Sequence, residues 1–190
     1  MCQKVLRDAR FFAFLLEADR EIAAEARAAG CMHCGGVLHS ARFRRKPRGG
    51  PPEVGAEAEL RCSFCCAEEG CRKRRTPPSL RFLGRKVYYA AVVVVVSAMR
   101  HGATPARMRK LREMLGVSRR TVARWRRWWQ TTFAESRFWR RGKAALMPPV
   151  ETMRLPASLL ERFTGNDEET RLVALLRFLG PLTSGARRAR

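Results

Sequence analysis

The sequence lacks an apolar run long enough to span a lipid bilayer. Its longest candidate, Val87 to Met99, has 13 residues, whereas a membrane-spanning helix needs about 18 to 20. Glu17 and Asp19 interrupt the apolar patch near the N-terminus, and no small-residue cleavage site follows that patch. These absences argue against a membrane or secreted protein and predict a cytoplasmic chain with no membrane partner.

Acidic residues are scarce in one block of the chain. Residues 72–143 contain 21 Lys and Arg but only 2 Asp and Glu, whereas residues 1–70 contain 11 and 10. Residues 144–190 are again nearly balanced, with 7 and 5. A concentrated cationic block favours a polyanionic partner, nucleic acid first and an anionic membrane surface second. Most of these cations are Arg, whose planar guanidinium suits phosphate groups and guanine edges.

Seven cysteines are present, and in a reducing cytoplasm cysteines are more often metal ligands or buried thiols than disulfides. Cys31 and Cys34 form a CxxC followed by two glycines, a spacing that lets two thiolates approach one ion. A second group lies further along the chain and contains Cys62, Cys65, Cys66 and Cys71. Two such pairs would hold a zinc ion and join a hairpin too small to be stable alone.

The second group leaves two pairings open. Cys62 with Cys65 would form a second CxxC, whereas Cys66 with Cys71 would place both ligands after a predicted strand. Buried thiols without a metal are a further alternative. We favour the second pairing, with Cys65 as a substitute for Cys66. The preferred ligands of one structural Zn²⁺ are therefore Cys31, Cys34, Cys66 and Cys71.

A helix-turn-helix pattern begins at Thr104, which can cap a helix that has proline at its first position. Gly116 supplies the turn, and Ser118 can cap a second helix from Arg119 to about Thr131. One face of that second helix is apolar and contains Val122, Trp125 and Trp129. About half a turn away lie Arg120, Arg124 and Arg127.

This division of faces is what a helix in the DNA major groove requires, because one side packs and the other contacts phosphates and bases. A solvated helix face normally mixes charges of both signs, but Arg119 to Arg127 contains no acid. We expect Arg119, Arg120 and Arg124 to read bases. The full set of candidate DNA-binding residues is Arg119, Arg120, Thr121, Arg124, Arg126 and Arg127 on the helix, and Arg72, Lys73, Arg74 and Arg75 after the cysteines.

These patterns predict a mostly α protein with a small β zinc ribbon. Residues 1–30 have apolar side chains at helical spacing and predict an N-terminal amphipathic helix. Residues 31–80 contain two alternating stretches separated by a Gly- and Pro-rich loop, which predicts the two strands of the ribbon. Residues 81–143 are helical throughout in pattern and predict a basic helix-turn-helix bundle, and residues 144–190 predict a helical C-terminal tail.

The strings CxxCGG, SFCC with GCRKRRTPPS, and LGVSRRTVARWRRWW together resemble the zinc-ribbon and helix-turn-helix modules of bacterial insertion-sequence transposases and their accessory proteins. The resemblance covers about residues 31–130. It implies a role in binding DNA near mobile-element ends, with the cysteines as zinc ligands and the second helix as reader. Arg112 departs from the pattern, since many such motifs have a small residue there. The expected partners are duplex DNA, a transposase or recombinase, and a second copy of the chain.

Full transposases cleave DNA with a set of separated carboxylates, usually Asp, Asp and Glu, but this chain has only three aspartates, Asp8, Asp19 and Asp167, and no strand-rich stretch after residue 143. We therefore predict a non-enzymatic, nucleoid-associated DNA-binding protein. Two alternatives remain. One is an RNA-binding zinc protein. The other is a protein-interaction subunit of a recombination or transposition complex, which would dock through residues 4–29 and the C-terminal tail.

Overall fold

The computed structural model describes residues 4–99 and 104–184. The helices in these ranges are α1 (Ala9–Ala28), α2 (Ala90–Ala98), α3 (Pro105–Leu115), α4 (Arg119–Trp128), α5 (Arg137–Gly142), α6 (Ala157–Leu160) and α7 (Glu168–Leu179). The strands are β1 (Leu38–Ser40), β2 (Phe43–Arg44), β3 (Leu60–Arg61), β4 (Phe64–Cys66) and β5 (Arg74–Arg75). The predicted class, mostly α with a small antiparallel sheet, is confirmed. None of the described helices combines the length and apolar composition that a membrane crossing requires.

The strands form an interrupted hairpin with a third strand at its base. β1 pairs with β4 and β2 pairs with β3, both antiparallel and in one continuous register. The ladder continues between the two pairs, because the Ala41 N–H donates to the Ser63 carbonyl at 2.8 Å. β5 then pairs with the other side of β4. Each of the two predicted strands is therefore present but divided in two: the first as β1 and β2, the second as β3 and β4. Strand β5 was not predicted.

The segment before α2 corrects the prediction of a helical pattern from Arg81 onward. Residues 81–89 are irregular and extended, and α2 begins only at Ala90. The Ala90 N–H donates to the Arg81 carbonyl at 2.8 Å, and Phe82 and Tyr89 form an isolated antiparallel bridge. The chain here makes a tight reversal before entering the helix.

The main core is built around α2. Every residue from Ala90 to Ser97 is buried, so α2 is apolar on all sides rather than on one stripe. Its neighbours include α4, α6 and α7, and buried side chains of α1 and α3 complete the same cluster. The apolar faces of α1 and α7 are thus covered within the chain.

Helix α1 contributes to two cores. Its first half buries Phe11, Phe12 and Leu15 in the main core. Its second half buries Ala23 and Ala26 against a smaller core that contains Cys31, Leu38, Phe64 and Cys66. The helix ends at Gly30, whose φ of +69° favours glycine. The cysteine-rich sheet and the helical core are therefore held by one continuous helix.

A buried ion pair joins α1 to the rest of the fold. Asp19 lies 2.8 Å from the Arg81 guanidinium, and both side chains are fully buried. The Asp19 carboxylate also accepts hydrogen bonds from the Ser79 hydroxyl and the Leu80 N–H. Arg81 in turn donates to the carbonyls of Ala58 and Leu60 at 2.6 and 2.8 Å. The pair thus connects α1, the entry to β3 and the segment that leads to α2.

We expect Asp19→Ala to destabilise the protein by about 3 to 5 kcal/mol, because it leaves the Arg81 charge buried without a counter-charge. Chemical denaturation followed by circular dichroism measures the change. The matched control is Glu17→Ala, which removes an exposed ion pair with Arg20 and should cost only about 0.2 to 1 kcal/mol. If Asp19→Ala does not fold, Asp19→Asn gives the milder comparison. If the Asp19 and Glu17 variants lost the same free energy of unfolding, this role of the buried pair would be contradicted.

Candidate metal centre and basic surface

Four sulfur atoms converge between α1 and the sheet. Those of Cys31, Cys34, Cys66 and Cys71 all lie within 4.8 Å of one another. The Cys31 and Cys71 sulfurs are 3.7 Å apart, and the Cys34 and Cys66 sulfurs are 3.4 Å apart. A tetrahedral ion with metal–sulfur bonds of about 2.3 Å requires sulfur separations of about 3.8 Å. The cluster therefore has the dimensions of a four-thiolate metal centre.

Backbone N–H groups point at three of the four sulfurs. The N–H of His33 faces Cys31, that of Gly36 faces Cys34, and that of Glu68 faces Cys66, in each case two residues after the cysteine. This repeated turn orients N–H dipoles toward sulfur and stabilises the thiolate form. Gly35, with φ of +72°, permits the first turn, and its N–H donates to the Cys31 carbonyl at 2.8 Å.

The thiols differ in their ease of ionisation. N–H groups of His33 and Cys34 lower the pKa of Cys31 to about 6. Burial raises the pKa of Cys66 to about 12. Four thiolates this close repel one another, so a bound cation is what allows all four to ionise together. The geometry and the donor set both fit a soft divalent metal ion.

The other cysteines of the second group lie outside the cluster. Cys62 and Cys65 are half-buried free thiols, and the Cys65 sulfur faces the Arg72 carbonyl at 3.6 Å. Cys65 cannot share the ligand position with Cys66, because neighbours on strand β4 project to opposite faces of the sheet. The predicted set of four cysteines is the one that the fold brings together.

The helices α3 and α4 form the basic surface. The Thr104 hydroxyl caps α3, Gly116 ends it with a φ of +63°, and the Ser118 hydroxyl caps α4. Val122 and Trp125 are buried, as is Trp129 in the π-helical turn Trp129–Phe133 that continues the helix. Four arginines of α4 are exposed, one at its start and three on the side opposite the buried residues, and none of them makes an ion pair in the part of the chain that the structure describes. These are Arg119, Arg120, Arg124 and Arg127.

Three other candidate DNA-binding residues have contacts within the protein. Arg75 is half-buried and donates to the carbonyls of Ala26 and Gly30, both at 2.7 Å, at the end of α1. Arg126 is half-buried and donates to the Met99 carbonyl at 2.7 Å. The Thr121 hydroxyl contacts the Ser118 hydroxyl at 3.0 Å. These three side chains stabilise helix ends, because carbonyls and N–H groups there lack partners along the helix.

The remaining three candidates lie beside the metal cluster. Arg72, Lys73 and Arg74 are exposed, and Arg72 has a φ of +43° at the turn into β5. The Lys73 carbonyl accepts from the Cys66 N–H at 3.0 Å. The backbone of this segment is thus fixed by the cluster, while its side chains face solvent.

Sequence reasoning missed Lys86. Its ammonium lies 3.5 Å from the centre of the Trp128 ring, a cation–π contact that covers the aromatic face. Burial, and secondarily the charge of Arg124, lower the pKa of Lys86 to about 8. Lys86 therefore lies at the end of the α4 arginine row. The sequence shows a lysine in a basic segment, but no periodicity links it to α4.

Replacement of single cysteines should separate ligands from bystanders. We expect Cys66→Ser to lose most bound metal, because it removes one of the four converging sulfurs, and Cys62→Ser to retain it. Elemental analysis of the purified full chain measures the metal content per chain. Metal loss from the Cys62 variant but not from the Cys66 variant would contradict the site.

The stability of the metal-loaded chain should rise between about pH 8 and about pH 10.5 on account of Lys86. In this window the unfolded chain, whose lysine has its ordinary pKa of 10.5, binds more protons at this position than the folded chain. Lys86→Met should remove that part of the rise, as measured by chemical denaturation across the window. Lys143→Met, at an exposed lysine, is the control and should leave the rise unchanged. Parallel profiles for the Lys86 variant and the parent would contradict the buried setting of this ammonium.

No protein-family model, no curated protein and no solved structure matches this chain. The cysteine cluster and the arginine face of α4 are thus the features from which we infer a function.

Proposed function

We propose that this chain is a non-enzymatic DNA-binding protein in which a zinc-stabilised ribbon supports a helix-turn-helix. The observation that carries the proposal is the exposed row of arginines on α4, which has no acidic partner among the residues that the structure describes and is backed by buried Val122 and Trp125. Unpaired like charges on one helix face repel one another, so the folded chain alone gains nothing from this arrangement. Binding to a polyanion relieves the repulsion.

The metal in this proposal is Zn²⁺. Four thiolates at tetrahedral spacing are a typical structural zinc donor set. Four cysteine ligands also fill the coordination shell, which leaves no open position for a substrate or a reactive water. Bound zinc would hold the end of α1 and the turn before β5 together and thereby fix the sheet.

The length and the charge of helix α4 suit the DNA major groove, and its buried side chains would hold it in place there. Arg119, Arg120 and Arg124 lie in its first turns and would reach base edges, since the N-terminal part of a recognition helix contacts bases. Arg127 lies one turn further and would contact a phosphate. Arg126 would support this position indirectly, because its guanidinium caps α2 at the Met99 carbonyl.

The exposed cations beside the zinc site would add contacts to the DNA backbone. Lys73 and Arg74 are the candidates, because their side chains face solvent on a backbone that the cysteine cluster fixes. Arg75 is not included in this role, since its guanidinium caps α1.

The aspartates support the proposal that the chain does not cleave DNA. Asp8 and Asp167 accept hydrogen bonds from backbone N–H groups at the starts of α1 and α7. Asp19 is buried against Arg81. A two-metal site for strand cleavage needs carboxylates that converge on one point, whereas these three lie at separate structural positions. The resemblance to insertion-sequence modules adds mobile-element ends as the proposed DNA target.

Zinc-loaded protein should bind duplex DNA at about 0.15 M ionic strength, and the affinity should fall steeply with added salt because counterions are released. Gel-shift or fluorescence anisotropy titrations with a duplex of about 30 base pairs, roughly three helical turns, measure both. An RNA duplex of the same sequence is the competitor. Absence of DNA binding, or a clear preference for RNA, would contradict the proposal.

Substitutions on α4 should separate base reading from backbone contact. After selection of a preferred sequence from a random pool, Arg120→Ala and Arg124→Ala should each cost about 1 to 3 kcal/mol on that sequence and less on random duplex. Arg74→Ala should weaken both duplexes equally, since phosphates carry no sequence information. Equal losses on both duplexes for Arg120→Ala and Arg124→Ala would contradict their role in reading bases.

A further inference from the structure

A second group of cations lies on β2 and the loop that follows it. Residues 42–48 contain five basic side chains and no acid. Arg44 lies 3.9 Å from Glu59, and Arg45 points inward. Arg42, Lys46 and Arg48 are exposed and make no ion pair within residues 4–99 and 104–184. A net charge of nearly zero over residues 1–70 conceals this group, because its cations are balanced by acids elsewhere in that segment.

The loop is fixed against the segment that leads to α2. The Arg48 N–H donates to the Val87 carbonyl at 2.8 Å, and the Tyr89 N–H donates to the Arg48 carbonyl at 3.1 Å. The Arg45 guanidinium donates to the carbonyls of Gly84 and Lys86 at 3.1 and 3.0 Å. A side chain at Gly49 would lie only 3.2 Å from Val92. The Gly- and Pro-rich loop is therefore packed closely at this end.

The packing places Arg48 on the same side as α4. Arg48 lies opposite Tyr88 in a parallel bridge, and residues opposite each other in a ladder project to the same face. Tyr88 faces α4, because its ring meets Trp125 edge-on at 5.0 Å and its hydroxyl donates to the Gly116 carbonyl at 2.8 Å. The exposed Arg48 side chain therefore emerges on the side of the ladder that carries α4.

Lys86 connects the two groups of cations. Its ammonium covers the Trp128 ring, one helical turn beyond Arg124. Lys86 thus lies beside the exposed arginines of α4, and Arg48 lies on the same side through its bridge to Tyr88, whose ring contacts Trp125 of α4.

We propose that Arg48 and the adjacent Lys46 form a second contact site for DNA phosphates, beyond the groove that α4 would occupy. The inference rests on the proposed DNA-binding function. It adds the loop after β2 to the surface that would contact DNA. Because hydrogen bonds already fix the loop backbone at Arg48, little backbone conformational entropy is lost when Arg48 meets a phosphate. Lys86 covers the Trp128 ring, so stacking of an unpaired base on that ring is blocked, which favours duplex over single-stranded nucleic acid.

The test compares Arg48→Ala with the parent chain in zinc-loaded, full-length form. Fluorescence anisotropy with a random-sequence DNA duplex of about 30 base pairs is recorded over a series of salt concentrations. Arg48→Lys keeps the charge. Arg10→Ala is the matched control, because it removes an exposed arginine from a part of the chain with nearly balanced charge. Thermal unfolding checks that Arg48→Ala, an exposed side chain, leaves the fold intact.

We expect Arg48→Ala to bind duplex about three- to tenfold more weakly at about 0.1 M salt, and to lower the slope of log affinity against log salt by about 1. The loss should be equal on the selected and random sequences, since it concerns phosphates. Arg48→Lys should restore most of the affinity and the slope, and Arg10→Ala should match the parent.

Three results would overturn the second contact site, and they are distinguishable. If the parent binds duplex DNA and the α4 variants lose it, but Arg48→Ala behaves like Arg10→Ala, the second site is wrong and the proposed function stands. If the parent binds no duplex DNA, both proposals fail. A loss for Arg48→Ala on an RNA duplex but not on DNA would overturn the assignment to DNA phosphates.

Discussion

The buried ion pair between Asp19 and Arg81 is the interaction on which the arrangement of this fold depends. Asp19 lies in the middle of α1, between the half that packs in the main core and the half that packs on the sheet. Arg81 satisfies two carbonyls before and within β3 while it pairs with Asp19. Two buried charges are costly unless paired and hydrogen-bonded, so placements of helix, hairpin and core that separate Asp19 from Arg81 are disfavoured.

That placement also relates the cysteine cluster to the basic surface. The cluster begins directly after α1, and Arg75 caps the last carbonyls of the same helix. At the other end, the Phe12 ring packs against Tyr89 at 4.7 Å, and the adjacent Tyr88 contacts α4 through Trp125. Helix α1 and the series of ring contacts at its first half therefore lead from the sulfur atoms to the arginine row. Zinc in the proposed site would act on this row only through that series, as a structural ion.

The surface charges work against the stability of the isolated chain. Among residues 4–99 and 104–184, Arg119, Arg120, Arg124 and Arg127 make no ion pair, so these α4 cations repel one another without compensation. The apolar helix α2 and the aromatic cluster around Trp129 and Phe133 supply the burial that offsets this repulsion. The buried core thus stabilises the fold while the surface cations remain unpaired. This arrangement suits a protein that binds a negatively charged partner.

The sequence by itself determined the elements that local chemistry dictates. Thr104, Pro105, Gly116 and Ser118 specify the two helices and their turn, because caps and left-handed turns depend on single residues and their neighbours. The spacing of Cys31 and Cys34, and the choice of Cys66 and Cys71, indicated the four clustered cysteines, although Cys66 is the last residue of β4 and not, as predicted, the first ligand after the strand. Only the tertiary structure decided the uses of the charged side chains. Arg75 and Arg126 cap helices, Arg81 is buried and Arg48 emerges beside α4, and each of these depends on segments distant in sequence. An arginine carries the same charge and the same donors in all of these settings, so its partner is fixed only when the chain packs.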